Sequence, residues 1–227
     1  MQPLVKGEPM LTFEDVKKNE AILTYIKKAD KALAALGFTE HSLAHVTKVA
    51  EVAEYILKTL QYSEREIELA KIAGFMHDIG NIVNRQEHAQ SGAVMAFRLL
   101  DQLGASPEEN AIIISAIGNH DESTAYPVNA VAAALILADK TDVRRSRVRN
   151  REISTFDIHD RVNYAVEESH VTIIDKKIFQ LSLTIDTSIS PVMDYFEIFL
   201  NRMLLCKKAA YTLGMSFQLV INNQKVL

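Results

Sequence analysis

The sequence predicts a mainly α protein: a helical domain followed by a small C-terminal α+β (β-β-α-β) appendage. Three observations carry that reading. Through the first two thirds, apolar residues recur at helical spacing between capping and stopping residues. After about Thr141 the chain turns polar and Arg-rich, and then alternates with a period of two. Its 227 residues and 48% hydrophobic content suffice for a full core. The expected division is a helical domain over 1–160 and an appendage over 161–227.

The elements follow in order. Phe13, Val16, Leu23, Ile26, Leu33 and Leu36 share one face of a helix over 13–36, with Gly37 as its stop. Thr39 is placed to cap a helix over 40–60, with Val46, Val49, Ala50, Ala53, Ile56, Leu57 and Leu60 inward. Ser63 and Glu66 form a capping box for a helix over 64–78, which Gly80 terminates. A helix over 87–103 stops at Gly104. Ser106-Pro107 gives an N-cap and first-turn proline for one over 107–119. A polar loop from Asp121 to Pro127 leads into an Ala-rich helix over 128–141, whose Ala132, Ala133, Ala134 and Ala138 permit close packing.

In the appendage, Phe179, Leu181, Leu183 and Ile185 alternate with polar residues as a strand, and Val171 to Ile174 is a shorter partner. Ser190-Pro191 opens a helix to about 213, stopped by Gly214, and Met215, Phe217, Leu219 and Ile221 form a last strand. Tyr195, Ile198, Leu200, Leu204 and Leu205 widen that helix's apolar surface beyond one stripe. The appendage is therefore expected to dock on the helical domain, with extension into a homodimer open, and to set access to a cleft without supplying metal ligands.

Composition excludes several classes. A single cysteine, Cys206, rules out a disulfide framework and a Cys-rich zinc module, and reads as inert core. A net charge of −4 is not that of a protein built to coat nucleic acid or an anionic membrane. Arg144, Arg145, Arg147, Arg149 and Arg151 form a local basic run between Asp142 and Glu152. It reads either as a solvated, salt-bridged segment or as a phosphate-grasping edge. No aromatic residues are interleaved to stack bases, and Gly-rich phosphate loops are absent. The start, MQPLVKGEPM, lacks a signal-peptide core, and the longest apolar stretch, 128–138, is too short for a membrane span. The expectation is a cytoplasmic protein, with neither membrane nor nucleic acid as partner.

The chemistry-bearing residues stand at helix ends. His77-Asp78 follows Phe75 and Met76 at the end of a buried helix. A carboxylate there is costly unless paired or coordinated, and a metal ion accounts for it. His45 precedes Val49, Ala50 and Ala53 on an apolar face. Asp139 ends the most apolar helix, where a carboxylate opposes the helix dipole. His88 opens one helix and His120-Asp121 closes another. Five segments thus offer nitrogen and oxygen donors and no thiolate. That suits Mn, Fe, Mg, Co or Zn. His41, one turn before His45 on the same face, reads either as exposed, the default, or as lining the cleft, and His159 and His170 read as structural.

In this order, His45, His77-Asp78 and Asp139 resemble the HD superfamily of metal-dependent phosphohydrolases. The contexts His45-Val-Thr-Lys-Val-Ala-Glu-Val-Ala, His77-Asp-Ile-Gly and Ala138-Asp139-Lys140 are similar as well. His88-Ala-Gln-Ser-Gly-Ala and Ala116-Ile-Gly-Asn-His-Asp-Glu resemble the extra histidine segments of two-metal members. The resemblance covers about residues 40–145. It implies an HD-type helical bundle that hydrolyses a nucleotide or related phosphate ester, using water activated by one or two divalent ions. It implies His45, His77, Asp78 and Asp139 on a first ion, and His88, His120 and Asp121 on a second that Asp78 bridges. It implies catalytic roles for Asp78 and Lys140 and substrate contacts from Asn81, Arg144 and Arg145. There are two departures. Asn81 stands where members often carry lysine, and Asp121 where two-metal members often carry a second histidine. They leave an alternative, a non-catalytic metal- and nucleotide-binding regulator.

Overall fold

The structure, a computed structural model, describes residues 10–150 and 152–227. Residues 1–9, where the signal-peptide reading was made, and Arg151 of the basic run lie outside the described residues. The first part of the chain folds as α1 (Phe13–Lys18), α2 (Glu20–Ala35), α3 (Leu43–Thr59), α4 (Glu64–Met76), α5 (His88–Gln102), α6 (Pro107–Gly118) and α7 (Ala130–Lys140). Helix α7 is apolar on every side, and every residue from Val131 to Ala138 is buried. Such a helix belongs in the middle of a bundle. Helices α3, α4 and α6 pack around it.

Local chemistry explains where the structure departs from the sequence reading. The helix expected over 13–36 is two helices. Asn19 leaves helical geometry and its side chain accepts the Ile22 N–H, capping α2. Ser42, not Thr39, caps α3, because Ser42 Oγ accepts from the Ala44 N–H. Gly37, Gly104 and Gly214 stand at positive φ just beyond their helices, as stops should. Gly80 does not stop α4, which ends at Met76; it lies in a 3-10 turn, Ile79–Ile82, pressed against the first residues of α5. The polar stretch over 142–160 runs into a further helix, α8 (Ile158–Ala165), capped by the Asp157 side chain on the Asp160 N–H.

The C-terminal unit contains β1 (Val166–Ile174), β2 (Ile178–Ile185), α9 (Val192–Thr212), β3 (Ser216–Ile221) and β4 (Gln224–Lys225), in sheet order β1-β2-β3-β4. Strand β2 runs antiparallel to β1 and parallel to β3, with α9 as the crossover. Alternation puts Phe179, Leu181, Leu183 and Ile185 in the core beside Phe217, Leu219 and Ile221. Strand β1 begins at Val166, earlier than the alternation suggested. Strand β4 adds to the expected β-β-α-β order through Asn222 and Asn223, both at positive φ in a two-residue turn.

Helix α9 packs on both β3 and α7, so it does bury more than one face. Tyr195, Phe199, Met203, Leu205 and Cys206 are covered, while Met193, Leu200, Leu204 and Tyr211 stay exposed. Among the described residues, no helix is long and apolar enough to cross a membrane.

Candidate metal centre

Four histidines and two aspartates from five helix ends converge on a cleft of about 270 Å³. His45 comes from the first turn of α3. His77 ends α4, and Asp78 follows where the chain leaves α-helical geometry. Adjacent residues of a regular helix diverge by about 100°; here His77 Nε2 lies 3.2 Å from Asp78 Oδ2. His88 opens α5 after Glu87, whose left-handed backbone turns the chain. His120 follows α6, and Asp139 sits in the last turn of α7.

Each imidazole is oriented through Nδ1. Asp142 Oδ2 accepts from His45 (2.8 Å), Gly74 O from His77 (2.8 Å), Arg85 O from His88 (3.1 Å) and Ile117 O from His120 (2.6 Å). Those acceptors carry no hydrogen, so Nδ1 must carry it, and Nε2 is the atom left for a cation or a proton. His45 Nε2, His77 Nε2 and Asp78 Oδ2 are buried with no hydrogen-bond partner among the described residues. His45 Nε2 is 3.6 Å from Asp78 Oδ2 and 3.3 Å from Asp139 Oδ1, and His77 Nε2 is 3.6 Å from Asp139 Oδ1. Ligand atoms about 2.0–2.2 Å from one ion stand roughly 3.0–3.5 Å apart. The donor set therefore fits a divalent ion.

A second set adjoins the first. His88 Nε2 is 3.2 Å from His120 Nε2 and 3.5 Å from Asp78 Oδ1. Asp78 thus turns one oxygen to each set, the arrangement a bridging carboxylate requires. Asn81 holds it, donating Nδ2–H to Asp78 Oδ1 (2.8 Å) and to the Asp78 carbonyl (3.0 Å).

The electrostatics demand positive charge at this point. Burial opposes charging His77, but the carboxylates of Asp78 and Asp139 beside it lift its pKa to about 10. Burial is the largest single influence and pushes Asp78 and Asp139 upward, but His77, His41 and His88 together at Asp78, and Lys140, His45 and His77 together at Asp139, outweigh it, and both carboxyls lie well below the usual range. Burial lowers His120 to about 3 and also depresses His88 and His41, so these three are neutral at pH 7. A proton on His77 occupies the place where a metal ion would supply the charge.

Not every residue singled out in the sequence joins this centre. Asp121 turns Oδ2 to the Ser123 hydroxyl (2.5 Å) and lies outside the converging donor sets. Asn81 is buried against Asp78 and does not line the cleft. Arg144 grips Asp142 with two nitrogens (2.6 and 3.1 Å), and Arg145 donates to the Tyr164 carbonyl and lies over that ring; neither lines the cleft. Both arginines are drawn off by partners nearer in sequence or on α8. Lys140 does line it, with Nζ 2.7 Å from Asp139 Oδ2 and 3.4 Å from Glu122 Oε2.

Other residues enter that sequence reasoning set aside. His41 is half-buried rather than exposed. Its Nδ1 donates to Thr39 O (2.7 Å), leaving Nε2 4.0 Å from Asp78 Oδ2. Arg85, Arg147, His159 and, from α9, Phe199 and Arg202 also line the cleft. Among the described residues, Arg147 is the buried member of the basic run, tied to Glu40 O and Asp142 O. Asp142 was legible only as a second acid one helical turn after Asp139, and Arg202 only as a charge set into an apolar stripe.

Asp142 fixes the ring of the first ligand while Arg144 and Arg147 fix Asp142. Asp142→Asn is therefore expected to weaken metal affinity about 10- to 100-fold with the fold intact. Titration of the metal-free variant with Mn²⁺ checks this, and affinity equal to the parent's removes the orienting role.

This site defines a class of helical protein in which histidine and aspartate side chains from several helix ends converge as donors that could hold a divalent metal ion. The model of the HD domain family matches residues 42–162, and the chain belongs to that family. It is 24% identical over 202 residues to an uncharacterized protein of Methanocaldococcus jannaschii, covering 79% of this chain and 78% of that one. It is 25% identical over 122 residues to ribonuclease Y of Enterococcus faecalis, covering 52% of this chain and only 21% of the ribonuclease. Among solved structures, a predicted HD superfamily hydrolase from an uncultured Thermotogales bacterium shares 26% identity. That match has a TM-score of 0.44 and covers 55% of this chain and 67% of the other.

Proposed function

We propose that this protein is a metal-dependent phosphohydrolase acting on a small phosphate ester, with nucleotides as the leading substrate class. The observation that carries the reading is the convergence of unpartnered His45 Nε2, His77 Nε2 and Asp78 Oδ2 beside a second set, Asp78, His88 and His120. His45, His77, Asp78 and Asp139 would hold one ion, and His88 and His120 would join Asp78 on another. Bound there, divalent ions would supply Lewis-acid chemistry to a water molecule and to phosphate oxygens.

The chain's own groups support the rest. Lys140 and Arg147 bring positive charge to the acid-rich end of the cleft. Neutral His41 presents the Nε2 lone pair toward Asp78 and is placed to take a proton from a water in the cleft. The small volume, and Asp157 and Asp160 on the wall, favour a compact ester over a polyanionic strand.

The test is metal analysis of the purified chain, followed by a screen of nucleotides and other phosphomonoesters with Mn²⁺, Mg²⁺, Co²⁺ and Zn²⁺. Metal-dependent release of inorganic phosphate is the expected result. Tight nucleotide binding without turnover would select the regulator instead.

A further inference from the structure

Arg202 reaches the cleft from α9, well beyond the family-matched segment. It gets there because α9 lies on α7, whose buried alanines let the two helices approach closely. Two contacts then fix the guanidinium. Nε donates to Glu122 Oε1 (2.7 Å), and the group lies over the Phe199 ring, 4.3 Å from its centroid. Glu122 also faces Lys140, with Oε2 3.4 Å from Nζ, and Lys140 is paired with the ligand Asp139. The chain Arg202–Glu122–Lys140–Asp139 thus anchors α9 to the metal centre.

The donors that remain are informative. Neither terminal nitrogen of Arg202 makes a hydrogen bond among the described residues, and the side chain keeps 24% exposure at the cleft. By contrast, Arg147 spends Nε and Nη1 on backbone carbonyls, and Lys140 faces two carboxylates. A guanidinium with both terminal nitrogens free presents parallel N–H donors, matching two oxygens of one phosphate. Arg202 lines the cleft as well as pairing with Glu122, so a salt bridge that only holds α9 in place leaves its other two nitrogens without a role.

We infer that Arg202 is a phosphate-binding residue of the active site, supplied by the C-terminal unit, and that Glu122 positions it. This rests on the phosphohydrolase reading. It makes the appendage a working part of the site as well as its border.

The test uses the full metal-loaded chain and inorganic phosphate, the reaction product, titrated by calorimetry. The parent protein is measured first, then Arg202→Gln and Arg202→Lys, each with metal content and thermal midpoint alongside. Arg202→Gln is expected to keep its metal and bind phosphate about 10- to 100-fold more weakly. Arg202→Lys keeps a charge opposite Glu122 while losing the fork, and should fall between the two even if the glutamine variant folds poorly. Parental phosphate affinity in the lysine variant, or in a folded glutamine variant, overturns the assignment. A metal-loaded parent that takes up no phosphate overturns this assignment, whereas absence of turnover in the ester screen overturns the phosphohydrolase reading on which it rests.

Discussion

Asp78→Asn is expected to strip the protein of bound metal and of phosphohydrolase turnover together, while leaving it folded. Asp78 faces both donor sets, Oδ2 toward His45 and His77 and Oδ1 toward His88. An amide keeps the shape but removes the negative charge, and one of its two ends becomes an N–H₂ donor. Either orientation leaves one donor set facing that group. The loss in turnover should reach at least about a thousandfold, equivalent to about 4 kcal/mol in the barrier. The fold should persist, because Asn81 still donates to the backbone carbonyl of residue 78 and the apolar bundle is untouched. In the metal-free state the substitution also removes the main charge that raises His77, so that histidine should titrate lower. Elemental analysis and a thermal melt of the same preparation decide the matter. Parental metal content in a folded variant would remove Asp78 from the centre.

The converging donor cluster was legible because its residues are improbable where they stand. A histidine and an aspartate after Phe75 and Met76, and an aspartate closing a helix as apolar as α7, demand a compensating charge. The helices were legible from periodicity and caps, and Ser63 with Glu66 and Ser106 with Pro107 act as read. What the sequence hid was set by tertiary neighbours. Asn19 competes with a helical pattern that looks continuous, and only the backbone shows that its side chain wins. Arg144 and Arg145 are close in sequence to Asp139 and yet are captured by Asp142 and Tyr164. Arg147 and Arg202 approach from a turn and a distant helix. His41 looked like a surface residue because its burial depends on the loop that Arg147 and Arg149 tie down through Glu40 O and Phe38 O.

Gly80→Ala is expected to damage fold and centre at once, for a reason that is steric rather than conformational. The 3-10 turn after Asp78 lies against the start of α5. A Cβ on residue 80 would stand 2.0 Å from the His88 carbonyl oxygen and 2.4 Å from the Gly92 nitrogen. Both are backbone atoms, so no side chain can swing aside, and the two segments must separate by about 1 Å to reach tolerable contact. Gly92 answers from the other side, close to Gly80 N and His77 O, so the pair lets the two backbones touch. This contact carries His88 to within 3.5 Å of Asp78 Oδ1. Overpacking against rigid backbone should cost about 3 kcal/mol or more, lowering the melting midpoint by roughly 6–12 °C in a chain of this size. Displacing α5 moves His88 away from Asp78 while His45, His77 and Asp139, on other helices, stay together. The second ion should therefore be lost before the first. A melt with metal stoichiometry measured below the transition reads both effects. A variant with parental stability and two ions bound would show that the turn and α5 can part without cost to the site.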